Sequence, residues 1–107
     1  MLYLDEEARH IFHKSPTLLQ TVCAMFESLL AKSGYQTQVI DVDKRMGMHM
    51  AMLHAPDASE LALEDAVAQT NKMFVRKDEG DTITIENAET ALVTVRVSEV
   101  SDFAHLN

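Results

Sequence analysis

Two runs near the end of the chain alternate between apolar and polar residues: TITIEN, and ALVTVRVSEV after it. Alternation with a period of two places successive side chains on opposite faces of a β-strand. Ile83 and Ile85 share one face of the first run, and Val93, Val95 and Val97 share one face of the second. Because only the short segment NAET joins the runs, we predict an antiparallel hairpin. Such a hairpin is not stable alone, so the rest of the chain must supply more strands or a helical layer.

A third alternating run lies in the middle of the chain, KRMGMHMAMLHAP (residues 44–56). Read as a strand, it places Met46, Met48, Met50 and Met52 on one face with His54, and Gly47, His49, Ala51 and Leu53 on the other. Methionine, alanine and leucine also favour helices, so a helix is the alternative. The strict alternation, and the strand-like segment just before it, favour the strand.

The methionine row has two interpretations. It packs in the core against this chain's own helices, or it lies on an open sheet face and contacts another subunit. Core packing is the more frequent role. Methionine is also common at surfaces that accept a partner, and a strand with two apolar faces is usually covered on both. We therefore predict Met46, Met48, Met50 and Met52 as candidate interface residues and leave the core alternative open.

The first long helix is predicted over residues 16–33. Ser15 is a suitable N-cap and Pro16 suits the first helical position, while Gly34 is placed to end the helix in the left-handed conformation. A strand is predicted over residues 35–43, rich in β-branched side chains. A turn is expected at Asp43, Lys44 and Arg45.

The second long helix is predicted over residues 58–75. Asp57 and Glu60 have the spacing of a capping box. Residues 1–14 hold a weaker helical pattern, which predicts a short additional helix at the N-terminus. The tail, residues 101–107, is expected to be irregular.

The predicted order is helix, strand, strand, helix, strand, strand, within a single α+β domain spanning residues 1–107. We expect a two-layer sandwich: a mainly antiparallel four-stranded sheet with two helices on one face.

Composition narrows the function. The formal net charge is −8, from 17 acidic and 9 basic residues, which argues against binding nucleic acid or an anionic membrane. The single cysteine, Cys23, excludes an intrachain disulfide and is expected to pack as a small apolar side chain. With no signal-peptide pattern, we expect a soluble, cytoplasmic protein.

No catalytic motif is present, so we expect a protein that is not an enzyme and needs no cofactor. Scattered carboxylates and imidazoles leave one alternative open, a small metal-dependent hydrolase; its ligands would come from Asp41, Asp43, His49, His54, Asp102 and His105. Zinc sites use three or four ligands, and His49 and His54 have opposite strand parity, so we predict no metal site. A third possibility is an acidic adaptor or inhibitor of a basic protein partner.

The segment MHMAMLHAPDASELALEDAV runs from a strand through a Pro-Asp turn into an acidic-capped helix. In this feature and in element order, the chain resembles bacteriophage tail-terminator and head–tail joining proteins. That resemblance implies ring-like assembly and location in a virion. The leading hypothesis is therefore a structural protein that forms homo-oligomers through a sheet face or edge.

Overall fold

A computed structural model describes residues 3–4, 6–14, 17–45, 48–75 and 82–98 of the chain. The elements follow the predicted order, with a short strand and a short helix in front. They are β1 (Tyr3–Leu4), α1 (Glu6–Phe12), α2 (Leu18–Lys32), β2 (Gln38–Arg45), β3 (Met48–His54), α3 (Glu60–Met73), β4 (Phe74–Val75), β5 (Thr82–Asn87) and β6 (Leu92–Ser98). The short helix predicted within residues 1–14 is α1. The predicted irregular tail lies outside the described residues.

The main sheet has four strands in the order β2-β3-β6-β5, and every neighbouring pair is antiparallel. Helix α2 packs against β3 and β6, and α3 packs against β5 and α2. The predicted α+β architecture is therefore confirmed. Among the described strands, β3 and β6 lie at the centre, and β2 and β5 form the edges.

One small sheet was not predicted. β1 and β4 pair antiparallel, with Tyr3 opposite Val75 and Leu4 opposite Phe74. The prediction that the second long helix extends to residue 75 was therefore wrong, since α3 ends at Met73. The reason is tertiary: the N-terminal segment supplies a strand partner, and local helical periodicity cannot reveal such a pairing.

Helix α2 begins two residues later than predicted, because Thr17 and not Ser15 is the N-cap. The backbone N–H of Gln20 donates to the Thr17 hydroxyl at 3.1 Å, and Ser15 and Pro16 lie outside the described residues. The prediction for Gly34 was correct. It has a φ of +87°, and the N–H of Tyr35 reaches the Leu30 carbonyl at 3.0 Å, as in a Schellman motif.

The start of α3 also differs from the prediction. Ser59 caps the helix, since the N–H of Ala62 donates to its hydroxyl at 3.1 Å. Asp57 lies instead in a turn that is closed by a 3.0 Å hydrogen bond from the Ala58 N–H to the Ala55 carbonyl. Pro56 precedes Asp57 within this turn. The Pro-Asp turn that the sequence predicted between the strand and the helix is therefore present.

Strand β2 was predicted over residues 35–43 and is observed over Gln38–Arg45. The predicted turn at Asp43, Lys44 and Arg45 was wrong. These residues continue the ladder, and Arg45 pairs with Met48. An edge strand accommodates polar residues more readily than a central strand, so their turn-like composition was misleading. The connection to β3 consists of residues 46–47, which lie outside the described residues.

The core lies between the helices and one face of the sheet. Ala51 and Leu53 of β3 contribute to it, at 1% and 0% exposure. The predicted valine face of β6 is confirmed, because Val93, Val95 and Val97 are all buried. On the helical side the largest fully buried side chains are Phe26, Met25, Leu30 and Leu63. Cys23 is buried in the same cluster, as expected for a small apolar side chain.

Candidate self-association surfaces

The sheet face directed away from the core is named here the outer face. On β3 its positions are Met48, Met50, Met52 and His54, because they alternate with the buried Ala51 and Leu53. Met50 and Met52 are partly exposed, in contrast to those two neighbours. The interpretation in which the methionines pack beneath this chain's own helices is therefore wrong for Met50 and Met52. Met46 lies outside the described residues, and for Met48 only the backbone is described.

The strand register shows what surrounds the methionine row. Met50 lies opposite Asp43 on β2 and Arg96 on β6, and Met52 lies opposite Asp41 and Thr94. Thr94 is only 3% exposed although it belongs to the outer face. Its cross-strand neighbours are Met52 and Thr84.

The second candidate surface is the edge strand β2. Val39, Ile40 and Val42 are exposed by 50%, 51% and 51%. The other edge strand differs, because Ile83 of β5 is 6% exposed and α3 packs on β5. The helical layer therefore covers one edge of the sheet better than the other.

A groove of about 250 Å³ lies between α2 and β2. Its floor includes the buried side chains of Leu19, Cys23 and Ala51, and its sides include Val39 and Val42. Thr17, Gln20 and His49 contribute the polar part of the lining. The groove is therefore a mainly apolar depression beside the edge strand β2.

Cys23 does not make this groove a catalytic site. Burial, and secondarily the nearby carboxylate of Glu27, raise the pKa of the Cys23 thiol from 9.0 to about 12. A thiol is nucleophilic as its thiolate, so Cys23 is poorly reactive at neutral pH. Burial also raises the pKa of Glu27 above its ordinary value of 4.5.

The residues of the metal-site alternative do not converge where the structure describes them. His49 lines the groove on the core face, whereas Asp41 and His54 belong to the outer face. The described ranges contain no group of three or more His, Cys, Asp or Glu side chains able to hold a metal ion. Asp102 and His105 lie outside those ranges. The prediction that His49 and His54 lie on opposite faces of the strand is confirmed.

The sequence did not predict that β2 is an edge strand with exposed apolar side chains. The β-branched residues of β2 predicted a strand correctly, but an edge position follows from the order of strands, which local patterns do not contain. The sequence offered one indirect signal, the acidic and basic residues within Asp41–Arg45, which are typical of a strand edge in contact with water.

None of the helices in the described part of the chain has the length and apolarity that a membrane span requires. Comparison with known proteins gave no match to a family model, to a curated protein or to a solved structure.

Proposed function

We propose that this protein is a non-enzymatic assembly component that associates with further copies of itself through the outer face of its sheet. The observation that carries the proposal is the partly exposed pair Met50 and Met52 at the centre of a face opposite both long helices. Methionine side chains are flexible and polarizable, so they adapt to an opposing surface. A second outer face would bring two such rows together.

The size of the outer face sets the expected strength of this contact. Four strands about 4.8 Å apart and about 3.4 Å per residue give a face of about 19 by 24 Å for the 7 residues of β3. Two faces in contact then bury about 900 Å², below the 1,200 to 2,000 Å² of stable specific interfaces. We therefore expect face-to-face association to be weak and concentration-dependent unless a second contact strengthens it.

In its finer form, we propose that the assembly is a virion tail or head–tail component. The support is the likeness of element order to tail-terminator and head–tail joining proteins. Mass spectrometry of purified particles from a host that encodes the chain tests this form. Detection at a fixed copy number per particle supports it, and absence from intact particles contradicts it.

The test of self-association is the molar mass in solution, measured by light scattering after size-exclusion chromatography over a wide concentration range. We expect the mass of the native chain to rise with concentration. Met50→Glu places a charge at the centre of the outer face and should return the mass toward 12.0 kDa. Ala68→Glu is the matched control, because Ala68 is exposed on α3. A native chain that stays monomeric throughout, or a Met50→Glu variant that associates like the control, contradicts the proposal.

A further inference from the structure

We propose that β2 is a second interface between copies of this chain, formed when the segment Asp41–Arg45 pairs antiparallel with the same segment of another copy. This inference rests on the proposed self-association and assigns it a particular strand edge. The partner is a second copy because reversal of the segment sets the acidic residue at its start, Asp41, opposite the basic residue at its end, Arg45.

In the part of the chain that the structure describes, the outer edge of β2 has no strand partner. Within the described sheet, β2 pairs with β3 on one side and ends the strand order on the other. An unpaired edge presents a row of backbone N–H and C=O groups to an incoming strand. Val39, Ile40 and Val42 are about half exposed there, so pairing would also remove apolar surface from water.

The second step is the register. The ladder between β2 and β3 shifts between Val39 and Asp41, so Ile40 is a bulge and the regular part of β2 begins at Asp41. An antiparallel pair related by a two-fold axis places residues of the same sheet face opposite each other. The pairing that uses the whole regular segment Asp41–Arg45 is centred on Asp43. It sets position 41 against position 45, and position 42 against position 44.

The third step is charge. In this register each Asp41 lies opposite Arg45 of the second copy, and symmetry creates that pair twice. Opposite charges at directly opposed positions stabilise a strand pair, and like charges destabilise it. A register centred on position 42 would oppose Asp41 and Asp43 twice. One centred on position 44 would oppose Asp43 to Arg45 twice and Lys44 to itself, which is the same balance of charges, but within β2 it would pair three residues on each strand and not five.

Asp43 is the unfavourable element of the chosen register, since it meets its own counterpart on the two-fold axis. The like-charge contact occurs once, whereas the Asp41–Arg45 contact occurs twice. Replacement of Asp43 by asparagine is therefore expected to strengthen the edge-to-edge dimer. Such a dimer joins two sheets side by side, so its two outer faces form one surface of about twice the area. This supplies the second contact that a weak face-to-face association needs.

Cysteine cross-linking tests the register directly. Opposed residues of an antiparallel pair have Cα atoms about 4.5 or 5.5 Å apart, within the range of a disulfide. We expect Asp43→Cys to form a covalent dimer under mild oxidation. The control is Thr84→Cys, an exposed position on the other edge strand, β5, and it should stay largely monomeric. The native Cys23 is present in both variants and is buried.

A charge exchange tests complementarity. Asp41→Arg and Arg45→Asp, made singly, each replace two attractive pairs by two repulsive ones and should weaken dimerisation about tenfold or more. The double variant restores opposite charges in exchanged positions and should recover most of the native affinity. Circular dichroism of each variant checks that the fold is retained.

The outcomes separate this inference from the proposed function. If the native chain self-associates but Asp43→Cys cross-links no better than Thr84→Cys, the edge interface is overturned and the outer face stands. If the exchanged pair fails to recover the affinity lost in the single variants, the register is overturned in the same way. A native chain that is monomeric at all concentrations overturns both.

Discussion

The two faces of β3 predict opposite consequences for two adjacent substitutions. Leu53 is 0% exposed and belongs to the core. Met52 precedes it on the outer face and is partly exposed. Truncation of both residues to alanine removes comparable amounts of side chain, so the difference between Leu53→Ala and Met52→Ala measures which face of the strand is packed.

The expected magnitudes follow from burial. Truncation of a buried leucine removes its transfer free energy and leaves a cavity, which together lower the free energy of unfolding by about 2–5 kcal/mol. A domain of this size has a total stability of about 5–15 kcal/mol, so Leu53→Ala should lower the Tm by at least about 8 °C. Met52→Ala removes a partly exposed side chain and should lower the free energy of unfolding of the monomer by less, about 1–2 kcal/mol, since no closed cavity is left.

The assay is urea unfolding followed by circular dichroism, at a protein concentration low enough to keep the chain monomeric. Equal slopes with denaturant would show that both variants unfold from a similarly compact state. At high concentration, self-association can be compared in the same two variants. Here the larger effect should come from Met52→Ala, which should weaken the oligomer more than Leu53→Ala does. If Met52→Ala destabilises the dilute monomer as much as Leu53→Ala, the methionine row is part of the core and the assignment of the outer face is refuted.

Other predictions concern helix α2 and its end. With its pKa raised to about 12, the Cys23 thiol should react with a thiol reagent at pH 8 about a thousandfold more slowly than in the urea-unfolded chain, and equal rates would contradict its burial. Because burial raises the pKa of Glu27, the folded state holds that proton to higher pH than the unfolded state does, so stability should fall as pH rises above about 4.5. Glu27→Gln should therefore be stabilised relative to the native chain at pH 7 but not at pH 4, and a pH-independent difference would refute this cause. Thr17→Ala should lower the free energy of unfolding by about 1 kcal/mol through loss of the N-cap, whereas Thr17→Ser should retain most of it, as urea unfolding can measure. Gly34→Ala should cost about 1–2 kcal/mol from the positive φ alone, since a Cβ there meets no atom within 4 Å; an unchanged unfolding midpoint would show that the left-handed conformation carries no strain.

Local sequence determined most of the secondary structure. The alternation in β3, β5 and β6 identified strands and their two faces, because side-chain direction reverses at every residue of a strand. Gly34 marked the end of α2, because a positive φ favours a residue without a Cβ. The helix starts were less accurate, since several residues near each start can cap. The observed caps are Thr17 and Ser59. The hydroxyl of each accepts a hydrogen bond from the backbone N–H three residues later.

Tertiary structure decided what local patterns left open. The sequence showed that β3 has two apolar faces but not which one the helices cover. That choice follows from packing, because Ala51 is small enough to lie beneath a helix and the methionines then take the opposite side. The sequence also predicted a strand at β2 but not its position at an edge of the sheet. It gave no sign that β1 and β4 pair, because these segments are far apart in the chain. Strand order and coverage depend on contacts between distant segments, and those contacts leave Val42 exposed and Met50 and Met52 partly exposed.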